Sequence, residues 1–321
     1  MNKAFLAALE EEISRLDIGQ NPSELYDPIH YLLSLGGKRI RPVLCLITYS
    51  LFKSDWEKQV PAALSVEIFH NFTLMHDDIM DKAPLRRGKQ TVHEKWNDNI
   101  AILSGDVMLV NAYQYLNKVK GLSLEAFQHL LGRLSRIAAE VCEGQQFDMN
   151  FESRGDVTVE EYIEMIRLKT AVLLGGAMKL GAIVGGADEK NADLLYQFGE
   201  NLGVAFQLQD DILDVYGDPE KFGKQVGGDI ISNKKTFLHL TAKALVQPEE
   251  LPTLLGDHEN TEIKVKAVTQ LYNSYQVKEQ ANVEMEKYLD KAFQALDQIA
   301  VSEDRKNLLR QLAKQIMDRE S

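Results

Sequence analysis

Two short acidic clusters carry the residues whose types and spacing could do chemistry. Both have the pattern Asp-Asp-x-x-Asp, at residues 77–81 and again at residues 210–214. An apolar run before each cluster predicts a helix, on which the first and last aspartates lie one turn apart on the same face. Like charges at that spacing repel, so we expect a cation between them, and carboxylates usually hold the hard cation Mg²⁺. The candidate metal ligands are Asp77, Asp78, Asp81, Asp210, Asp211 and Asp214.

The repetition of the acidic cluster is what favours a functional interpretation. A lone cluster in a chain with 48 acidic residues would more often be a solvated helix face. Carboxylates at the end of an apolar helix face are costly unless they are paired or bound to metal. Two such helices facing each other could hold a group of Mg²⁺ ions. Because Mg²⁺ is commonly bound by one or two carboxylates together with substrate phosphates, we expect a phosphorylated ligand with an apolar remainder.

Cationic side chains in the first third of the chain could bind the phosphate groups. Lys38, Arg39 and Arg41 lie in the sequence GGKRIRP, where a glycine pair precedes a helix start at Pro42. A helix N-terminus and converging cations together favour an anion. The adjacent arginines Arg86 and Arg87 follow the first acidic cluster, and each could bind a different phosphate group because their side chains diverge. For both segments the alternative is a solvated basic turn.

Further candidate cations lie in the second half of the chain. Lys169 interrupts an apolar run, so its amine should reach a polar surface or an ionic partner. Lys224 and Lys234 lie in a loop rich in glycine and lysine, which is typical of a mobile flap over an anion. The glycines of LLGGAMKLGAIVGG, at residues 173–186, are instead interpreted as positions of close helix packing.

The elements that must position these residues are helices. Apolar residues recur at helical spacing, and no segment alternates like a β-strand beyond a few residues. We predict an all-α bundle of ten or more helices around a central cavity. One helix should run from about Pro61 into the first acidic cluster, another should begin with a capped turn at Thr158, and a third should run from Asp193 into the second cluster. No flexible linker divides the chain, so residues 1–321 are predicted to be a single domain.

Composition and charge exclude several classes of function. A net charge of −12 argues against a nucleic-acid partner, and 45% apolar residues are ordinary for a globular protein. No uninterrupted apolar run reaches the ~18 residues of a membrane span, and the glutamates at 10–12 exclude a signal peptide. We therefore expect a cytoplasmic protein without stable membrane insertion, in which Cys45 and Cys142 are buried free thiols.

Taken in order, these motifs resemble those of the trans-prenyl diphosphate synthases, which are all-helical enzymes. The resemblance covers nearly the whole chain. It rests on GGKRIRP at 36–42, DDIMD at 77–81 with RRG at 86–88, GQQFD at 144–148, KT at 169–170, FQLQDDILD at 206–214 and GKQVGGD at 223–229. It implies Mg²⁺-dependent head-to-tail condensation of isopentenyl diphosphate with an allylic diphosphate, three Mg²⁺ ions per active site and a homodimer.

The resemblance also implies a role for residues of each motif. Two Mg²⁺ ions would be held by Asp77 and Asp81 and a third by Asp210, with support from the other three aspartates. The residues implied to bind the allylic diphosphate are Arg86, Lys169 and Lys224. Those implied to bind isopentenyl diphosphate are Lys38, Arg41, His70 and Arg87. Those implied to lie near the reacting carbons, to support the site or to close the flap are Thr170, Gln207, Gln145, Asp148 and Lys234. Of all these, the predicted catalytic residues are Arg86, Lys169, Thr170 and Gln207.

Phe72, five residues before Asp77, is implied to set the length of the product. In the family a bulky aromatic residue there stops elongation early, while Thr73 beside it favours a deeper shaft than two adjacent aromatics. We therefore predict the twenty-carbon geranylgeranyl diphosphate, with farnesyl diphosphate or a longer chain as alternatives; Phe72 could also be simply a core residue. A terpene cyclase would not need the basic GGKRIRP segment, and a non-catalytic subunit would usually lose one acidic cluster.

Overall fold

A computed structural model describes residues 2–218, 226–256 and 260–318, and these are mostly helical. Up to the second acidic cluster the helices are α1 (Asn2–Ser14), α2 (Ser23–Ser34), α3 (Ile40–Ser50), α4 (Val60–Met80), α5 (Val92–Lys95), α6 (Asp98–Leu116), α7 (Leu124–Ser153), α8 (Val159–Ile166), α9 (Val172–Gly185) and α10 (Glu189–Tyr216). They continue with α11 (Gly228–Ile231), α12 (Phe237–Leu245), α13 (Leu251–Leu255), α14 (Thr261–Ser274), α15 (Val277–Asp297) and α16 (Glu303–Met317). The prediction of an all-α protein with more than ten helices is confirmed.

Three short elements interrupt the α-helices where the chain changes direction or pitch. A 3₁₀ turn, Trp56–Gln59, leads into α4. Strands β1 (Leu85–Arg86) and β2 (Lys89–Gln90) pair antiparallel just after the first acidic cluster. A π-helical turn, Arg167–Ala171, joins α8 to α9. The hairpin of β1 and β2, through Arg86, and the π-helical turn, through Lys169 and Thr170, carry predicted site residues.

The chain divides into two compact units, and each contains one acidic cluster. The first unit consists of Met1–Ile137 and Gly176–Tyr196, and the second of Ala138–Gly175 and Gln197–Ser321. The first cluster lies in the first unit, at the end of α4. The second cluster lies in the second unit, near the end of α10. The prediction that residues 1–321 form a single domain stays a prediction.

Helix α4 is the centre of the first unit and packs against α3 and α6. Nearly every position from Val60 to Phe69 is buried, so the helix is apolar around most of its circumference. The buried Ser65 hydroxyl of α4 donates a hydrogen bond of 2.7 Å to the Ala112 carbonyl of α6, so this polar group is satisfied where the two helices pack. This packing holds the C-terminal end of α4, and therefore the first acidic cluster, at a fixed place.

The glycines of α9 allow close helix packing, as the sequence predicts. A Cβ atom at Gly181 would lie 2.1 Å from the Cys45 carbonyl oxygen of α3 and 2.2 Å from Thr48 Oγ1. No real side chain tolerates such distances, so glycine is needed for α3 and α9 to approach. Thr158 also caps α8 as predicted, because its hydroxyl accepts a bond from Glu161 N (3.2 Å) and Glu161 Oε2 accepts one from Thr158 N (3.0 Å).

Within the described ranges, one helical stretch is long and apolar enough to cross a membrane. This stretch, Val159–Gly185, comprises α8, the π-helical turn and α9. However, 78% of its most apolar window is buried inside the protein. Burial of that extent is typical of a core helix.

The structure corrects two details of the sequence interpretation. Cys45 is buried as predicted, but Cys142 is exposed, because it lies on the outward face of α7. Helix α10 begins at Glu189 and not at Asp193. The reason is that Asp188 Oδ1 accepts a hydrogen bond of 2.8 Å from Asn191 N, which caps a helix start four residues earlier.

Candidate active site

The first acidic cluster separates its aspartates into two environments. Asp78 exposes 2% of its surface, and its carboxylate accepts three hydrogen bonds of 2.7–2.9 Å from the guanidinium of Arg86. Asp77 is half-buried and Asp81, the C-cap of α4, is exposed. Burial alone would lower the pKa of Arg86, but its hydrogen bonds with Asp78 and the negative charges of Asp78, Asp77 and Asp81 together raise the pKa. Asp78 is thus held by a protein cation, and Asp77 and Asp81 present the carboxylates nearer to solvent.

The hairpin after α4 sends the two adjacent arginines in different directions, as predicted. Arg86 turns back to Asp78, whereas Arg87 takes a left-handed backbone conformation with φ of 53°. The guanidinium of Arg87 lies against Gly37, where a Cβ atom would be 2.8 Å from Arg87 Nη2. Gly37 of GGKRIRP therefore makes room for an arginine from the RRG motif.

His70 and the arginines that surround it, chiefly Arg41 and Arg87, form a cationic pocket in the first unit. The Nε2 atom of His70 is 3.2 Å from Nη1 of Arg41. Burial, followed by the charges of Arg41 and Arg87, holds the pKa of His70 well below its usual range. The neutral ring therefore accepts a hydrogen bond from Arg41 at Nε2 and carries its proton on Nδ1.

The arginines of this pocket are themselves in an unfavourable environment. Burial lowers the pKa of Arg41, and burial together with the charge of Arg39 lowers the pKa of Arg87. Lys38, at the start of the same segment, is exposed. A partly buried group of like charges is relieved by a bound anion, so the pocket is suited to a phosphate group.

The second acidic cluster repeats the division seen in the first. Asp211 is buried, and its Oδ2 atom accepts hydrogen bonds from the Tyr162 hydroxyl (2.6 Å) and from Phe237 N (3.2 Å). Burial raises the pKa of Asp211. Asp214 Oδ2 accepts a hydrogen bond of 2.9 Å from Asp229 N, which fixes the start of α11. Asp210 is half-buried and lies one turn before Asp214 on α10.

Lys169 is an ion-paired cation, as its place in an apolar run predicts. Its Nζ atom donates a hydrogen bond of 2.6 Å to Asp148 Oδ2, in the GQQFD motif of α7. The π-helical turn that carries Lys169 and Thr170 is closely approached by two other helices. A Cβ atom at Gly144 of α7 would be 2.2 Å from Lys169 N, and one at Gly203 of α10 would be 2.7 Å from Ala171 Cα. Such π turns frequently occur at functional sites.

The remaining predicted site residues are distributed as follows. Thr170 and Gln207 are half-buried, on the π turn and on α10. Lys234 is exposed, and its backbone N–H donates a hydrogen bond of 2.9 Å to the Asp229 carbonyl. Lys224 lies outside the described residues. Phe72 is buried beside Phe69, with ring centroids 5.5 Å apart.

Each unit therefore assembles its own part of the predicted site. The first unit contains Lys38, Arg41, His70, Phe72, Asp77, Asp78, Asp81, Arg86 and Arg87. The second unit contains Gln145, Asp148, Lys169, Thr170, Gln207, Asp210, Asp211, Asp214 and Lys234.

The sequence interpretation missed Tyr162, and it wrongly grouped Arg39 with the cations that converge on a phosphate. The Arg39 guanidinium instead faces inward to Glu10, Glu67 and the Leu33 carbonyl. Tyr162 lies on the apolar face of α8, and a buried tyrosine needs a partner for its hydroxyl, so the pattern contained a usable signal. Arg39 gave no such signal, because it lies within a run of cations and reads as one more phosphate ligand.

The donor set fits Mg²⁺ that is bound together with a diphosphate. Across the part of the chain that the structure describes, no group of three or more His, Cys, Asp or Glu residues could hold an ion without other ligands. Mg²⁺ normally takes only one or two carboxylates and completes its shell with substrate phosphates and water. Asp77 with Asp81, and Asp210 with Asp214, supply hard oxygen atoms of that kind.

The all-helical fold with two acidic clusters and nearby cations is that of a prenyltransferase, as the family match shows. The chain belongs to the polyprenyl synthetase family, whose sequence profile matches residues 22–275.

Relatives in this family cover most of the chain. It is 40% identical over 263 residues to a short chain isoprenyl diphosphate synthase of Methanocaldococcus jannaschii, covering 82% of this chain and 79% of that protein. A solved geranylgeranyl pyrophosphate synthase is 42% identical, with a TM-score of 0.92 over 100% of this chain and 99% of the other. A geranylgeranyl pyrophosphate synthase from Corynebacterium glutamicum, solved in complex with isoprenyl diphosphate and magnesium, is 28% identical, with a TM-score of 0.82 over 99% and 97%.

The contact between Gly37 and Arg87 generates a prediction. In Gly37→Ala the new methyl group displaces the Arg87 guanidinium, so the KM for isopentenyl diphosphate should rise about tenfold, the effect of losing one charged hydrogen bond. Steady-state kinetics measure this effect. Gly36→Ala is the matched control, because Gly36 also has a positive φ (75°) but no atom lies within 4 Å of its added Cβ. An equal rise in both variants would mean that backbone strain, and not Arg87, is responsible.

Proposed function

We propose that this protein synthesises geranylgeranyl diphosphate in the cytoplasm, by Mg²⁺-dependent head-to-tail condensation of isopentenyl diphosphate with an allylic diphosphate. The observation that carries the proposal is the presence of cationic side chains at two separate places, around His70 and at Lys169, each in a unit with an acidic cluster. A reaction that joins two diphosphates needs two such groups. The related geranylgeranyl pyrophosphate synthases support the same product and cofactor.

The acidic clusters are proposed to bind the metal ions. Asp77, Asp81 and Asp210 would hold three Mg²⁺ ions together with the diphosphate of the allylic substrate. Asp78, Asp211 and Asp214 would support them, because their carboxylates accept hydrogen bonds from Arg86, Tyr162 and the backbone of Asp229. When bound, the ions neutralise charge that develops on the departing diphosphate.

The cations divide between the two substrates. Arg86, Lys169 and Lys224 would bind the allylic diphosphate and stabilise its charge as the allylic C–O bond ionises. Asp148 holds the Lys169 ammonium in place for this role, at 2.6 Å. Lys38, Arg41, His70 and Arg87 would bind isopentenyl diphosphate. The neutral His70 ring would donate through Nδ1 while Arg41 is held at Nε2.

The reaction then needs orientation and protection from water. The double bond of isopentenyl diphosphate attacks the allylic cation, a new carbon–carbon bond forms, and a proton passes to the released diphosphate. No side-chain base is needed for that step. Thr170 and Gln207 would lie beside the reacting carbons, and the apolar core around them would exclude water that would otherwise quench the cation.

The acidic clusters provide the direct test of this function. Asp77→Ala and Asp210→Ala should each lower kcat by on the order of 10³, the scale of losing a main electrostatic stabiliser. Turnover is measured at saturating Mg²⁺ and saturating substrates. Asp290→Ala, which removes an exposed carboxylate from α15, is the control and should remain fully active. Near-normal turnover of either cluster variant would contradict the proposal.

Phe72 is proposed to be the floor of the site for the growing chain. Phe72→Ala should then give longer products with turnover retained, as measured by chromatography of the dephosphorylated products. If Phe72 is only a core residue, the variant should instead lose about 3–5 kcal/mol of unfolding free energy with unchanged product length. Phe5→Ala is the matched control, since Phe5 is a fully buried phenylalanine of α1 that packs against Trp56.

The protein is also proposed to be a homodimer that uses an apolar stripe of the first unit. Leu103 (57% exposed) and Val110 (56%) lie seven residues apart on α6, and Leu124 (74%) and Leu131 (37%) have the same spacing on α7. Apolar side chains exposed at helical spacing mark contact surfaces. Sedimentation of the protein should give the mass of two chains, and Leu103→Asp with Val110→Asp should give one. A wild-type monomer would exclude this part of the proposal.

A further inference from the structure

Arg39 lies inside the cationic segment GGKRIRP but does not face outward with its neighbours. It exposes 3% of its surface, whereas Lys38 beside it is exposed. We propose that Arg39 does not touch substrate but is a positioning residue, which fixes Lys38 and Arg41 from behind. This inference rests on the proposed function and assigns one more residue to its isopentenyl diphosphate site.

The side chain of Arg39 is fixed at three points by three different helices. Its Nε atom donates a hydrogen bond of 2.9 Å to Glu10 of α1, and its Nη1 atom one of 2.7 Å to Glu67 of α4. Its Nη2 atom donates one of 2.9 Å to the Leu33 carbonyl in the last turn of α2. All three guanidinium nitrogens are therefore used within the protein, and they join α1, α2 and α4 at the start of α3.

The backbone of Arg39 sets the direction of the segment. Its φ of 46° lies in the left-handed region, which is uncommon for a residue with a side chain. Such a conformation persists where the surrounding structure holds it in place. Arg39 is the N-cap of α3, so this turn determines where the preceding Lys38 lies and how the first helical turn presents Arg41.

Glu67 extends the same network to the histidine of the pocket. Asn71 Nδ2 donates hydrogen bonds to Glu67 Oε1 (2.9 Å) and to its backbone carbonyl (2.8 Å). Asn71 directly follows His70, so the path from Arg39 through Glu67 to Asn71 ends beside the ring that contacts Arg41 at 3.2 Å. A buried carboxylate close to an anion-binding pocket opposes anion binding by its charge. Its presence there is explained by its bond to Arg39.

Glu10→Ala distinguishes a positioning role from a purely electrostatic one, because the two predict opposite changes in the KM for isopentenyl diphosphate. Removing a negative charge near the pocket should by itself strengthen the binding of an anionic substrate. If Glu10 instead holds Arg39, its loss loosens the segment and should raise the KM for isopentenyl diphosphate about threefold, with the KM for the allylic diphosphate unchanged. Glu10 is half-exposed, with 45% of its side chain accessible, so the variant should fold.

A second variant removes the network without changing the net charge. Arg39→Met combined with Glu67→Gln eliminates one positive and one negative group, so a change in affinity must come from geometry. We expect the KM for isopentenyl diphosphate to rise about tenfold, since small displacements of positioning groups have effects of this order. The control is Arg15→Met with Glu11→Gln, which removes an exposed ion pair of α1 and should change neither KM. Lys306→Met controls for the loss of a buried cation in the second unit.

The outcomes are distinguished by the two KM values, by unfolding midpoints and by a binding measurement that does not need turnover. A rise confined to isopentenyl diphosphate, with weaker binding of inorganic diphosphate by calorimetry, supports the positioning role. Unchanged KM values with a lowered unfolding midpoint would show that Arg39 only stabilises the fold. A lowered KM in Glu10→Ala would overturn the inference. If the wild-type protein binds inorganic diphosphate but does not condense the substrates, the proposed function is wrong and calorimetry still tests Arg39.

Discussion

The constraint on which the structure depends is the placement of negative charge at the C-terminal ends of apolar helices. Both acidic clusters lie near the end of a long helix, α4 or α10, where the helix dipole already contributes partial negative charge. Aspartates there repel each other and the dipole, so they need cations or hydrogen-bond donors. Arg86 supplies a cation to Asp78, and the Tyr162 hydroxyl supplies a donor to Asp211. Arg86 and Tyr162 thus hold one buried aspartate of each cluster, while Asp77, Asp81 and Asp210 are the carboxylates that we propose to bind the metal ions.

The arginines around His70 are subject to the same constraint, with the opposite sign of charge. Net charge is −12, yet Arg39, Arg41, Arg86 and Arg87 influence the one ring of His70. Concentrating like charges in a partly buried pocket is costly, and the protein offsets only part of the cost with Glu67 and Asp78. The remainder can be offset by a bound diphosphate. Relief of the repulsion among these arginines would therefore favour the binding of a diphosphate substrate.

Helical spacing was sufficient to predict the fold class and some of the local contacts of the candidate site residues. The spacing of Asp77 and Asp81 put them on a common face, and an apolar run around Lys169 predicted that its ammonium would be paired. Both arguments depend only on local periodicity. For the same reason the capped start at Thr158 and the close packing of Gly181 could be predicted.

The features that were missed depend on contacts between distant segments. The π-helical turn is approached closely by Gly144 and Gly203, and no local sequence pattern predicts it. The left-handed turn at Arg39 depends on Glu10 and Glu67, which are 29 and 28 residues away in sequence. Long-range packing decides both of these details. The early start of helix α10 has a local cause instead, because the Asp188 side chain caps the helix through Asn191 N, and helix propensity alone does not include such a cap.

The most direct test of the account is the product formed by the unmodified protein. With Mg²⁺, labelled isopentenyl diphosphate and a ten-carbon allylic diphosphate, the account predicts a linear, all-trans twenty-carbon diphosphate as the main product. Chromatography and mass spectrometry of the dephosphorylated product identify its length. No elongated product under these conditions, or a cyclic hydrocarbon in its place, would contradict the account.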